Sequence, residues 1–430
     1  MRMNNNDLNI LNQIIEERNV KYRTYHAYKS SLKNYLKFQN ISFEELLKEA
    51  KEEQDSKIPW YDRTIVERLT KYRKYLYNTF NGSTASRRLS NIIRLYKDSK
   101  VEMGELPYFN EKNANYSDPI TFDELATLEE LKEGLNIAPP IMRAIILFML
   151  SSACAKVDTL NIKVIDFLEA TSKYHNINTY IKEDIEDKFK QENKIVNNII
   201  GVLLEKNRMI PTFRLKRQKT SKYFTTYCSP EATNAIVSYL ISLKEELNYN
   251  DNLFKINERY FNDKFKEIND KLDRFKQRKT KKFTSHMLRK MNASLLYKNN
   301  YFVYSDEYKI ALDKEQIEAL HGRSKGSTEA SYYKDNPEIL KMIYINALPL
   351  ITVFHEYTNK ELEDMVNSEA EKKANKKTEA IQKELDEKKI EVIDENESKI
   401  SYTTSDEGIK LKTLIQGKFQ KLKNTITARG

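Results

Sequence analysis

The residues TSHMLR at positions 284–289 and LHGRSKGSTEASYYK at positions 320–334 carry most of what this sequence says about its fold class. His286 and Arg289 are three residues apart, so on a helix they share one face. An arginine fork and an imidazole on one face can both hydrogen-bond a single phosphate group. In the second segment, Tyr332 follows a polar stretch and precedes a new helix. A tyrosine hydroxyl close to arginines and a bound phosphate can act as a nucleophile.

The order of these elements resembles the tyrosine recombinases, the family of the lambda-type integrases. Within it, the chain looks most like integrases of archaeal or low-GC bacterial mobile elements. The pattern is His286-x-x-Arg289, a Leu-x-Gly-x element at 320–323, and a tyrosine ten residues after that glycine. Two boxes in this order form a more specific signal than either alone, the other interpretation being a helix end with a surface arginine and a packed tyrosine. The resemblance makes Tyr332 the nucleophile and Tyr333 its neighbour.

The composition predicts a mostly helical chain with two or three domains. It has 430 residues, of which 40% are hydrophobic and 32% charged, with only nine Gly and nine Pro. The formal net charge of +10 favours a polyanionic partner.

Several features favour the cytoplasm, in association with the nucleoid. Cys154 and Cys228 match neither a disulfide framework nor a metal site, which indicates a reducing compartment. Residues 1–6 lack the apolar core of a signal peptide. The longest apolar run, residues 144–150, is far shorter than the ~20 residues of a membrane helix and predicts a buried helix instead.

The predicted fold class is mainly α. With the resemblance, we expect a helical core-binding domain at 1–103, which clasps DNA, and a linker at 104–116. An α+β catalytic domain with a small antiparallel sheet follows at 117–356, and a charged, helical or mobile tail occupies 357–430. The segment after the tyrosine packs either in cis or on a neighbouring protomer.

Hydrophobic patterning predicts the elements of the catalytic domain. Residues 164–168 and 176–181 are predicted strands, and residues 182–204 are predicted to be largely helical. A strand at 208–216 and its partner at 223–227 are predicted to form a hairpin.

The residues SSACAKVDTLNI at 151–162 resemble the first box of the family, which has an arginine shortly before an acidic residue. With Asp158 as the acidic residue, the arginine falls on Ala155, or on Lys156 in relatives that carry it one place later. A lysine supplies charge without the bidentate fork of arginine. Three explanations stay open: Lys156 substitutes naturally, an engineered change from Arg to Lys has weakened the enzyme, or another arginine serves. Asp158 either orients the basic residues or caps a helix.

Basic residues cluster in the hairpin connection and before the His286 helix. Residues 214–222 hold five basic and no acidic residues, and residues 274–290 hold eight basic and no acidic residues. The resemblance implies that a lysine in the hairpin turn protonates the leaving oxygen, and Lys219 matches that position better than Lys222. The predicted helix at 65–80 and the one that starts at residue 83 carry further basic residues, on solvated faces or facing DNA. The residues expected to contact DNA phosphates are Arg87, Arg88, Lys216, Arg217, Lys222, Arg278, Lys279, Lys281 and Lys282.

The resemblance implies DNA strand exchange through a 3′-phosphotyrosyl link, with no metal and no cofactor. The partners expected are double-stranded DNA and further copies of the chain, four in a synapse, and no membrane. The alternatives are a catalytically impaired DNA-binding relative, suggested by the missing first-box arginine, and a nicking-closing enzyme of the type IB topoisomerase kind. The catalytic residues implied are Tyr332, Arg289, His286, Arg323, Lys219, Lys156 and Asp158, with Arg323 in a position where the family most often has His or Trp.

Overall fold

The chain forms two compact units, Met1–Ile120 and Thr121–Gly430. The computed structural model describes residues 3–111, 115–116, 125–175, 188–243, 245–272, 284–301, 312–322 and 336–396. In these ranges the protein is mainly helical with a two-stranded antiparallel sheet, so the predicted fold class is confirmed in these terms. None of the described helices is both long and apolar enough to cross a membrane.

The described part of the first unit is a bundle of α-helices. Asn4 and Ser42 each form a capping box with the acidic residue three positions later, which starts the first and third helices. Tyr35 and Tyr96 pack in the core with their hydroxyl oxygens 3.1 Å apart, so the buried hydroxyls satisfy each other. The helices are α1 (Asn5–Glu17), α2 (Tyr22–Gln39), α3 (Phe43–Asp55), α4 (Thr64–Thr79) and α5 (Gly82–Asp98).

The second unit holds the remaining helices and the hairpin. They are α6 (Leu128–Ile137), α7 (Pro140–Ser152), α8 (Lys156–Leu160), α9 (Val164–Ala170), α10 (Lys188–Leu204), β1 (Thr212–Lys216), β2 (Tyr223–Tyr227), α11 (Pro230–Ser242), α12 (Glu258–Lys271), α13 (Ser285–Tyr301), α14 (Lys314–Leu320), α15 (Pro337–Ile351) and α16 (Asn359–Asn396).

Helix α7 is the centre of the second unit. All its residues from Ala144 to Ser152 are buried, as expected for a helix apolar on every side. It packs against α11 and α13 and also contacts β2 and α15. The prediction of a buried helix in this region is confirmed.

The hairpin is also confirmed, although β1 is shorter than the predicted strand. Thr212 pairs with Tyr227 and Lys216 pairs with Tyr223. Phe213 and Leu215 are buried while the residues between and after them are exposed, which is the two-residue alternation of a half-buried strand.

The predicted strand at 164–168 is wrong, because this segment is helix α9. The backbone N–H of Lys163 donates to the Asp166 carboxylate at 2.7 Å and thereby caps the helix. Val164, Phe167 and Leu168 are all buried, at the spacing of one helix face. The predicted strand at 176–181 and the first part of the predicted helix at 182–204 lie outside the described residues.

Helices α15 and α16 are the last described elements of the second unit. Tyr344 and Leu348 of α15 are buried against other residues of this chain. The first turns of α16 are packed too, because the Glu369 carboxylate lies 3.1 Å from the Nζ of the buried Lys341. A solvated helix was the expectation for this part of the tail, and the apolar residue Leu362 is buried here as well.

Candidate active site

Arg289 on α13 joins two distant parts of the sequence. Its Nη1 donates to the carbonyl oxygen of Ala153, which ends α7 in a left-handed conformation (φ 52°). Its Nη2 lies 3.3 Å from the carbonyl oxygen of His321, after α14. One turn earlier on α13, His286 is exposed. The HxxR pair therefore places its arginine against the first box and the LHGR element, and its histidine at the surface.

His321 is a buried member of the site that the sequence analysis did not single out. It is only 2% exposed, and its Nε2 lies 2.7 Å from the Oδ1 of Asn292 on α13. The Nδ2 of Asn292 donates to the Leu150 carbonyl at 2.7 Å, so its Oδ1 accepts and His321 donates from Nε2. The available signal was a histidine between the last apolar residue of a helix and a glycine.

Gly322 makes the close approach of this turn to the hairpin possible. Its φ of +60° lies in the left-handed region that glycine adopts at low cost. A Cβ at this position would lie 2.6 Å from a ring carbon of Phe224 on β2. Any larger residue would therefore move the ring or the turn.

Arg217, directly after β1, reaches the same turn as Arg289. Its Nη2 donates to the His321 carbonyl at 2.9 Å and its Nη1 to the Gly322 carbonyl at 3.1 Å. Its guanidinium carbon lies 5.1 Å from the centroid of the Phe224 ring. The hairpin and the LHGR element are therefore held together by this arginine.

Asp158 on α8 is buried and anchors the hairpin connection. Its Oδ1 accepts the backbone N–H of Gln218 at 2.9 Å, and its Oδ2 lies 3.9 Å from the Nε of Arg217. Its carboxylate therefore lies beside a basic residue of the hairpin connection. The basic residue that it reaches is Arg217.

Lys156 contacts two residues of α12. Its Nζ lies 2.6 Å from the Glu258 carboxylate and 5.8 Å from the centroid of the Phe261 ring. The structure therefore pairs Lys156 with an acidic residue a hundred positions away. Nearby, burial raises the pKa of the Cys154 thiol to about 11, while the positive charges of Arg289 and Arg217 act in the opposite direction.

The hairpin turn presents its lysines outward. The N–H of Arg217 donates to the Lys222 carbonyl at 2.9 Å, and the N–H of Ser221 donates to the Arg217 carbonyl at 2.8 Å. Lys219 and Lys222 are exposed in this hydrogen-bonded turn, and Lys216 is exposed at the end of β1. The turn thus holds a group of cations on one short connection.

In the first unit, the basic residues of α4 and α5 fall into two groups. Arg73 donates to the Pro107 carbonyl at 2.7 Å, and Arg68 pairs with Glu49 at 2.9 Å, so both serve internal contacts. Arg87 is exposed, and Arg88 stacks at 4.3 Å over a phenylalanine ring. Arg87 and Arg88 are therefore the better candidates for a surface contact.

Several predicted site residues lie outside the described ranges. They are Tyr332 with its neighbour Tyr333, Arg323, Arg278, Lys279, Lys281 and Lys282. Within the described ranges, no group of three or more His, Cys, Asp and Glu side chains is placed to hold a metal ion.

Comparison with known proteins finds a likeness only among solved structures. No family model and no curated protein matches this sequence. Among solved structures, the chain is similar to one described as the crystal structure of XerA recombinase, at 15% identity and a TM-score of 0.25. The match covers 79% of this chain and 97% of that one.

Proposed function

We propose that this protein is a DNA strand-exchange enzyme of the tyrosine recombinase type, acting as a site-specific recombinase or integrase. The observation that carries the proposal is the reach of Arg289, which donates both to Ala153 in the first box and to His321 in the LHGR element. These two contacts support the proposal that the first box, the HxxR pair and the LHGR element lie together in space. The cationic hairpin turn adjoins them through Arg217.

In the proposed reaction, the hydroxyl of Tyr332 attacks a backbone phosphorus of DNA. The bond from phosphorus to the 5′-oxygen breaks, and Lys219 gives that oxygen a proton. Arg289 stabilises the charge of the pentacoordinate transition state, and His286 hydrogen-bonds a phosphate oxygen or takes the tyrosine proton. A 5′-hydroxyl of the partner duplex later attacks the phosphotyrosine, so no nucleotide cofactor is consumed.

The assembly and the location follow from the same proposal. Two duplexes exchange strands on four copies of the chain, in the cytoplasm at the nucleoid. The basic residues at 274–290 and in the hairpin turn neutralise DNA phosphates, which predicts DNA binding that weakens steeply with salt.

A trapping experiment tests the proposal. The protein is incubated in EDTA with a labelled duplex library that has a randomised central segment and a nick that traps cleavage. We expect a protease-sensitive protein–DNA adduct on a denaturing gel, absent in Tyr332→Phe and retained in Tyr333→Phe. Loss of the adduct in Tyr333→Phe but not in Tyr332→Phe would identify Tyr333 as the nucleophile. Relaxation of a supercoiled plasmid without any sequence preference would indicate the nicking-closing enzyme instead.

A second candidate, a catalytically impaired DNA-binding relative, is favoured by the pairing of Lys156 with Glu258. It predicts salt-dependent binding to the library with no adduct at any sequence. The adduct band on the denaturing gel therefore distinguishes the two functions.

A further inference from the structure

Two guanidinium groups converge on one carbonyl oxygen. The Nη2 of Arg217 lies 2.9 Å and the Nη2 of Arg289 lies 3.3 Å from the carbonyl oxygen of His321. The two arginines are 72 positions apart in the sequence and come from the hairpin connection and from α13. A neutral carbonyl satisfies donors from both groups without neutralising their charge. An anion bound between the two guanidinium groups would neutralise that charge.

Arg217 is held in a defined orientation. Its side chain is 19% exposed, lies over the Phe224 ring and has the Asp158 carboxylate 3.9 Å from its Nε. Asp158 also accepts the N–H of Gln218, so one buried carboxylate anchors the turn and lies beside the guanidinium that the turn carries. The two hydrogen bonds to the LHGR element use two of the five N–H donors of Arg217. Donors fixed before the substrate arrives stabilise a developing negative charge most effectively.

We infer that Arg217 and Arg289 form a two-arginine phosphate site, in which Arg217 takes the place of the arginine missing from the first box. This inference rests on the proposed function and identifies one group of its active site. Lys156 takes no part in this phosphate site, because its ammonium group pairs with the Glu258 carboxylate. Asp158 is a positioning residue, because it acts on phosphate only through Arg217.

Thermal unfolding with inorganic phosphate tests the site apart from catalysis. At constant ionic strength, we expect phosphate to raise the Tm of the parent protein relative to chloride, because a ligand that binds the folded state stabilises it. The rise is expected to persist in Lys156→Gln and in Arg214→Gln, an exposed control on β1, and to be lost in Arg217→Gln. The inference is overturned if the parent shows no rise, or if Arg217→Gln keeps all of it.

Adduct formation gives the second readout. Arg217→Lys keeps a positive charge for folding but loses the fork, and we expect it to slow adduct formation by roughly 100-fold. Lys156→Gln and Lys156→Arg are expected to stay within about threefold of the parent, since transition-state donors are the groups that change this rate. A large gain in Lys156→Arg, or an unchanged rate in Arg217→Lys, would overturn the inference. Absence of adduct in the parent would contradict the proposed function and leave the phosphate measurement to decide the inference.

Discussion

The imidazole Nε2 of His321 lies 2.7 Å from the Oδ1 of Asn292, and both side chains are 2% exposed. This buried hydrogen bond ties the turn after α14 to the helix that carries Arg289. The same residue supplies the backbone carbonyl to which Arg217 and Arg289 both donate. This buried side-chain pair therefore anchors the turn whose carbonyl both arginines reach.

Replacing Asn292 with Leu removes this hydrogen bond and the one to the Leu150 carbonyl. Because both partners are buried, we expect the free energy of unfolding to fall by about 1–3 kcal/mol in urea titrations. The matched control is Asn198→Leu on the exposed face of α10, expected to change stability by less than about 0.5 kcal/mol. Equal stability of the two variants would mean that the His321 contact is not structural.

Two glycines of the second unit are expected to respond in opposite directions to alanine. Gly322→Ala puts a methyl group 2.6 Å from Phe224 at a φ of +60°, so we expect a loss of about 1–3 kcal/mol. Gly201→Ala lies within α10 with nothing within 4 Å of the new Cβ, so we expect a gain of about 0.5–1 kcal/mol. Thermal or urea unfolding measures both. A stabilising Gly322→Ala would contradict the close approach to Phe224.

Glu369→Ala is expected to release the first turns of α16. Its carboxylate lies 3.1 Å from Lys341 and 3.4 Å from Lys173, and Lys341 is only 1% exposed. Removing one partner of a buried ion pair costs about 3–5 kcal/mol, because the other charge stays buried. Limited proteolysis is expected to cut α16 faster in Glu369→Ala than in Glu371→Ala, an exposed control on the same helix. The pair Lys341→Met with Glu369→Leu is expected to recover most of the loss, whereas equal cutting of the two single variants would contradict the docking of α16.

Glu231 is expected to make the second unit less stable as the pH rises. Its carboxylate accepts the N–H groups of Val353 and Phe354 at 2.8 and 3.0 Å, but burial raises its pKa above the usual 4.5. The folded state then binds this proton more tightly than the unfolded chain does. The stabilising contribution is complete below pH 4.5 and is lost as the pH rises through the raised pKa.

Urea titrations across this pH range check the sign. The stability of the parent minus that of Glu231→Gln is expected to decrease with rising pH, since the variant cannot titrate there. The control is Glu205→Gln, at an exposed residue after α10. The stability of the parent minus that of Glu205→Gln is expected to stay constant across the same pH range. An increasing difference for Glu231→Gln would mean that the two backbone hydrogen bonds outweigh burial.

Local sequence patterns determined the helices, the hairpin and the boxes of this protein. Ser42 with Glu45 specifies a helix start, and the alternation from Thr212 to Lys216 specifies a half-buried strand, because these signals act over a few residues. The prediction at 164–168 was wrong because a short apolar run is compatible with a strand or a helix. The hydrogen bond from the N–H of Lys163 to Asp166 caps a helix here.

Only the tertiary structure decided which cations meet. The sequence places Lys156, Arg217 and Lys219 in or near the family boxes, but it does not show which residue each of them contacts. Lys156 reaches Glu258, and Arg217 reaches the His321 turn about a hundred residues away, because the packing of α7, α13 and the hairpin brings those backbones together. The burial of His321 also depends on tertiary packing, because the helices and strands that cover its turn are distant in the sequence.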